Sequence, residues 1–345
     1  MYPFRVFVSY ARQDKEVARA VVESLRTVGT RPIWDESIRP GRLFLEEIKE
    51  KIATAHLFVP LLTPASRERP WVHQETGYAL AINVPVLPIA LATLPSEMLA
   101  GLQALVVKED LTDLKDRLVE VDFEGIVLPP QPRPPVVYSI ADLPESRTEA
   151  IVSQGSRLTN SIGPGRIRQR ALFSSFSIPD DEPSAAVWEY LDREQPRSLY
   201  YRQLLLNERR LLERQARDHG CTLIITPLID PGPVSSLVHR TRIETLLKFL
   251  ESMQKSWVDV VFSERFDQGN ETIVGDVLLA RALPPNPNWD YRQTMFTSHA
   301  PTVLQALRGF DDVFRRECRQ QGIVAGHSRD FVIDRLRVRL RELSP

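Results

Sequence analysis

From Phe4 to Leu118 the chain alternates between short apolar runs and amphipathic stretches, and that alternation leaves few folds open. Phe4–Tyr10 (FRVFVSY) reads as a buried strand, because β-branched and aromatic residues continue without a polar break until Ser9. Asp14 is placed to cap a helix running to about Val28, whose Val17, Val21, Leu25 and Val28 recur every three or four residues, and Gly29 ends it. Pro32–Trp34 predicts a short strand, Leu43–Ala53 a helix, Leu57–Leu62 a strand, Trp71–Ala81 a helix and Val84–Ala90 a further strand. Leu105–Val107, followed by a Leu111–Leu118 helix, supplies a fifth strand. Strands this apolar, separated by helices, imply a five-stranded parallel sheet covered on both faces.

In such a sheet, ligands sit beyond the carboxyl ends of the strands. Three loops meet there, Ser9–Asp14, Trp34–Gly41 and Thr63–Trp71. Neither GxGxxG nor GxxxxGK[ST] occurs, which disfavours a dinucleotide-binding dehydrogenase or a P-loop NTPase. The third loop opens a helix at Pro70, where the missing N–H costs nothing, and places Trp71 and Glu75 on one helical face. An aromatic plate beside a carboxylate can hold a sugar ring and stabilise positive charge developing on it.

At 345 residues the chain is long for one domain, and its net charge of −1 gives no basic field for nucleic acid. Cys221 and Cys318 lie far apart, outside any CxxC or Cys/His spacing, which fits a reducing cytosol and offers no metal site. The start of the chain is too short and polar for a signal peptide, and the proline-broken apolar runs are too short to span a bilayer. A soluble cytoplasmic protein is expected.

VFVSYARQDK at Val6–Lys15, WDESIRPG at Trp34–Gly41 and WVHQE at Trp71–Glu75 together resemble the TIR-domain family, in the family's order and spacing. The resemblance covers about the first third of the chain. It implies a flavodoxin-like five-stranded parallel sheet, in agreement with the strand pattern. It also implies NAD+ cleavage, because bacterial and plant members resembling this stretch carry a catalytic Glu in the third helix, which falls on Glu75. Animal receptor and adaptor members generally lack that residue and act as interaction modules. By the same resemblance, Phe7, Ser9, Tyr10, Arg12, Trp34, Ile38 and Trp71 line the substrate site, and NAD+ is a substrate, with no cofactor implied. The loop carrying Asp35, Arg39, Pro40 and Gly41 would mediate stacking of TIR domains into a homo-oligomer, with a complete site formed only between stacked copies.

LPPQPRPP at Leu128–Pro135 cannot form a central strand or helix and reads as a semi-rigid linker. The expected organisation is a TIR domain over 1–125, a linker over 126–139 and a second, mixed α/β domain over 140–345. In the latter, Ala141–Gly165 reads as a polar stretch ending in a Gly163-Pro164-Gly165 turn, with a basic cluster at Arg166, Arg168 and Arg170. Helices are expected over Tyr200–His219, Val234–Met253, Pro301–Arg319 and Asp330–Leu343, the last basic and amphipathic. Strands are expected at Cys221–Leu228, Val258–Ser263, Glu271–Ala280 and Thr294–Thr297. This order faintly resembles half of a phospholipase D-like fold, but the required HxK motif is missing, since Arg240 and Thr241 follow His239. A sensor or oligomerisation role for an unidentified activating ligand or protein is expected, as in bacterial antiphage defence effectors that the architecture resembles. A nucleic-acid partner is allowed but not favoured. Two rivals remain open at this level: capture of the same cation to give a cyclic ADP-ribose-type signal, and a non-enzymatic TIR scaffold.

Overall fold

The computed structural model describes residues 3–34, 44–67, 70–91, 102–128, 136–171, 174–179, 199–226, 236–263, 269–285, 292–324 and 326–343. The chain divides into two compact units, Met1–Tyr138 with Ser298–Gln305, and Ser139–Thr297 with Ala306–Pro345. No described helix is long and apolar enough to cross a membrane.

The first unit carries strands β1 (Arg5–Ser9), β2 (Arg31–Ile33), β3 (Leu57–Leu62), β4 (Ile89–Leu91) and β5 (Leu105–Val107). They pair in the order β2-β1-β3-β4-β5, all parallel. This is the flavodoxin-like order, whose switch point lies between β1 and β3. Five helices pack around the sheet: α1 (Lys15–Thr27), α2 (Phe44–Ala53), α3 (Pro64–Arg67), α4 (Pro70–Ala81) and α5 (Leu114–Val119). The short α6 (Phe123–Val127) follows, capped by Asp122, whose Oδ1 accepts the Gly125 N–H at 2.9 Å.

The pleat of β1 sorts its side chains onto two faces. Val6, Val8 and Tyr10 join the cluster under α1, with Val21, Val22 and Leu25. Phe7 turns to the opposite face and packs with Phe58, Ile48, Ile52 and Ala79, the side covered by α2 and α4. The fourth strand is shorter than the expected Val84–Ala90. Pro85 and Pro88 interrupt the run, leaving an isolated bridge between Phe58 and Val86 before β4 begins at Ile89.

The second unit holds a seven-stranded mixed sheet in the order β6-β12-β11-β10-β7-β8-β9. Its strands are β6 (Ser139–Ala141), β7 (Ile167–Ala171), β8 (Cys221–Ile225), β9 (Val258–Phe262), β10 (Glu271–Val274), β11 (Leu278–Ala282) and β12 (Thr294–Thr297). β7, β8 and β9 are parallel, and the remaining pairings are antiparallel. Helices α7 (Pro144–Ser161), α8 (Leu199–His219), α9 (Ser236–Ser252) and α11 (Ser328–Glu342) belong to this unit, as does α10 (Ala300–Gln320) from Ala306 onward. Its core runs through Ile151, Leu158, Leu212, Leu223, Leu246, Leu250 and Val260. Val332, Ile333 and Leu336 of α11 join that core, so the basic amphipathic helix docks on its own unit.

Three expectations for this unit are corrected. The polar stretch Ala141–Gly165 is largely helix α7, which presents Thr148, Ile151, Gly155, Leu158 and Thr159 inward. Three of those five residues are small or polar, so the helical period is faint in hydropathy. The single strand expected over Glu271–Ala280 is a hairpin, β10 and β11, reversed at Gly275 with φ +54°. The basic cluster, which the sequence leaves open between a solvated edge and a phosphate contact, is instead engaged in ion pairs. Arg166 pairs with Asp259 at 2.6 Å, Arg168 with Asp311 at 2.7 Å and Arg170 with Glu271 at 3.4 Å.

Candidate functional site

The site is built at the carboxyl end of β1. Ser9 closes the strand, lies opposite Pro60 in the parallel register with β3, and is 2% exposed. By the pleat it shares the face of Phe7, toward α4. That helix buries Val72, Glu75, Thr76 and Ala79, an inward stripe at spacings of three and four. One position of the stripe is a carboxylate, and Glu75 is only 7% exposed.

Burying a carboxylate costs free energy unless donors compensate it. Ser9 provides one such donor: its Oγ hydroxyl donates a short hydrogen bond to Glu75 Oε2 across 66 positions of sequence. Thr76, the next residue of the stripe, donates its hydroxyl to the Val72 carbonyl at 2.6 Å and so stays within the helix. The arrangement therefore holds one specific carboxylate at the strand ends by a directed contact from β1.

The other expected residues fall into two groups. Trp71 is half-buried one turn before Glu75 and packs against the Phe7–Phe58 cluster. Phe7 itself is 2% exposed, stacked on Phe58 with centroids 5.8 Å apart, so its ring is taken up by the core. Tyr10 and Trp34 form a second pair on the α1 face, with ring centroids 5.9 Å apart and planes tilted by 38°. Arg12 lies exposed on the 3₁₀ turn Arg12–Asp14. Thus Ser9 and Glu75 are in direct contact, while Tyr10 and Trp34 make their own contact. Asp35, Ile38, Arg39, Pro40 and Gly41 lie outside the described residues.

A further contact joins the loops beside Ser9. Asp14 stands before α1 as expected, but its carboxylate makes no capping hydrogen bond to that helix. Instead Asp14 Oδ2 accepts the Thr63 hydroxyl at 2.6 Å. Thr63 in turn begins α3: its Oγ1 accepts the Ser66 N–H at 3.0 Å, and its own N–H donates to Ser66 Oγ at 2.8 Å. Threonine followed by Pro64 is a helix-start signal in the sequence, whereas its cross-loop partner is not. Among the described residues, no group of three or more His, Cys, Asp or Glu is placed to hold a metal ion.

A doubly covered parallel sheet with a buried carboxylate at its carboxyl edge defines an α/β domain with a site at its loops. The model of the family described as TIR domain matches residues 6–119, and a TIR domain therefore occupies that part of the chain. Among curated proteins, none matches the chain.

Proposed function

We propose that the first unit is a TIR-type NAD+ glycohydrolase, with Glu75 as its catalytic carboxylate. The observation that carries this reading is the placement of Glu75. An apolar residue in that inward stripe would favour stability, yet the chain keeps a carboxylate there and directs the Ser9 hydroxyl onto it. Domains of this family include NAD+-cleaving enzymes, and the position agrees with the catalytic Glu implied by the WVHQE motif.

The chemistry asks for little more. Heterolysis of the bond between ribose C1′ and the pyridinium nitrogen leaves the electron pair on nicotinamide, which departs neutral and needs no general acid. The ribosyl fragment becomes oxocarbenium-like, and the Glu75 carboxylate stabilises that charge. Water then adds at C1′ and loses a proton to solvent, giving ADP-ribose. Trp71, one turn away, flanks the same mouth. Tyr10, Trp34 and Arg12 remain proposed contacts for the rest of the dinucleotide.

Self-association is common among TIR domains, and we propose that activity here depends on assembly, with the second unit as the sensing or oligomerising part of a cytoplasmic bacterial defence effector. The test is nicotinamide release from NAD+ by the full chain over a protein concentration series. Rate rising faster than protein concentration supports an assembly-dependent enzyme. Absence of release from concentrated, demonstrably oligomeric protein refutes the enzymatic reading. Chromatography of the ribosyl product separates capture by water from internal cyclisation.

A further inference from the structure

We propose that Asp14 and Thr63 form a latch that positions the catalytic pair, making Asp14 a positioning residue for the reaction; this rests on the function proposed above. β1 and β3 are neighbouring parallel strands, so the segments after Ser9 and after Leu62 leave the sheet at the same edge. The first carries the Ser9 hydroxyl, and the second leads through α3 into the helix that carries Glu75. The Asp14–Thr63 bond joins these two segments at 2.6 Å, the length of a charge-assisted O–H···O⁻ contact.

Both ends of the latch are fixed. Thr63 is 4% exposed and reciprocally bonded with Ser66, which also returns its hydroxyl to the Thr63 carbonyl at 3.0 Å. Its one hydroxyl proton is therefore committed to Asp14. On the other side, the Asp14 N–H donates to the Ala11 carbonyl at 2.7 Å, tying the carboxylate to the turn that follows β1. An aspartate before a helix ordinarily turns its carboxylate onto that helix's first N–H groups. Here it turns to the neighbouring loop, so its side chain bridges the segment that follows β1 and the one that follows β3. Release of the latch lets the β3 loop and α4 move relative to Ser9, and catalysis depends steeply on such displacements.

The experiment compares Asp14→Asn, Thr63→Val, the double variant, Thr63→Ser and Glu16→Gln in the full-length protein, by steady-state NAD+ cleavage. Glu16 is the other acidic residue in the first turn of this region, so its variant isolates the loss of charge near the start of α1. The latch predicts kcat lower by roughly 10- to 100-fold in Asp14→Asn and Thr63→Val, with KM nearly unchanged. The double variant should be no worse than the poorer single one, Thr63→Ser should recover most of kcat, and Glu16→Gln should match wild type. Unchanged kcat in both folded single variants, or fully additive losses, overturns the latch. An inactive wild type would refute the proposed function instead. The latch would then be read from the carboxyl ¹³C titration of Glu75, which the single variants must shift and Thr63→Ser must not. An unmoved titration overturns it.

Discussion

Replacing Ser9 by alanine removes one oxygen and one hydrogen bond, and both effects can be sized from the structure. The hydroxyl is 2% exposed and donates to a carboxylate that is 7% exposed, so water replaces the lost donor poorly. Hydrogen bonds to charged groups contribute about 1.5–3 kcal/mol. If that contact holds Glu75 in the geometry that stabilises the ribosyl cation, its loss raises the barrier by a comparable amount. At about 1.4 kcal/mol per tenfold, kcat falls roughly 10- to 150-fold. Part of the same free energy appears in folding, because a buried carboxylate has lost a donor, and the unfolding free energy drops by about 1–3 kcal/mol. Nicotinamide release should be followed by chromatography at a temperature well below the variant's unfolding transition, with denaturant unfolding measured in parallel. A folded Ser9→Ala protein with kcat within twofold of wild type would refute the role given to this bond. Equal stability of the two proteins would refute the account of how Glu75 is kept buried.

Further outcomes follow from the rest of the structure. Burial, with the nearby Arg5 guanidinium, holds the His56 imidazole well below its ordinary value, and burial brings His299 down to about 4. Each imidazole takes up its proton more readily in the unfolded chain, so the contribution of each is fully present above about pH 6.5 and declines below it, for His299 down through about pH 4. For His299 the loss approaches about 3 kcal/mol near pH 4, and His299→Gln should flatten that part of the stability profile measured by denaturant unfolding. In the second unit, Glu271 is 2% exposed between Arg170 and Arg281. Glu271→Ala removes a buried carboxylate from between two arginines and should cost about 3–5 kcal/mol in urea unfolding, while Glu271→Gln should cost less. Trp71→Ala removes a ring packed on the Phe7 cluster and should lower both the thermal midpoint and the affinity for NAD+, whereas Trp71→Phe should preserve most of the former.

Much of the first unit was legible because its strands are continuous apolar runs whose limits are set by turn residues. Leu57–Leu62 and Leu105–Val107 appear with the expected bounds. The site was legible only in part. Glu75 could be placed on the Trp71 face by helical spacing, but its burial depends on α4 lying against the sheet, which no local pattern records. The Ser9–Glu75 and Asp14–Thr63 contacts span 66 and 49 positions, and a cap reading of Asp14 was the natural local one. In the second unit the errors have separate physical causes. Where side chains facing the core are polar or small, as in α7, hydropathy stops reporting which face is inside. The run Ile273-Val274-Gly275-Asp276-Val277-Leu278 is apolar enough to read as one strand, although Gly275 takes a left-handed backbone and reverses it. The pairing of Arg166, Arg168 and Arg170 leaves no local sign, because their acidic partners lie 93, 143 and 101 positions away.

The most direct test of Glu75 is nicotinamide release by wild type and Glu75→Gln, measured side by side on assembled protein at matched concentration and fold. The amide keeps the shape of the side chain and can still accept from Ser9, but it cannot offset the ribosyl charge. The account predicts a fall of about 10²–10³-fold or more in kcat for Glu75→Gln, with assembly unchanged. Equal turnover by the two proteins would contradict it.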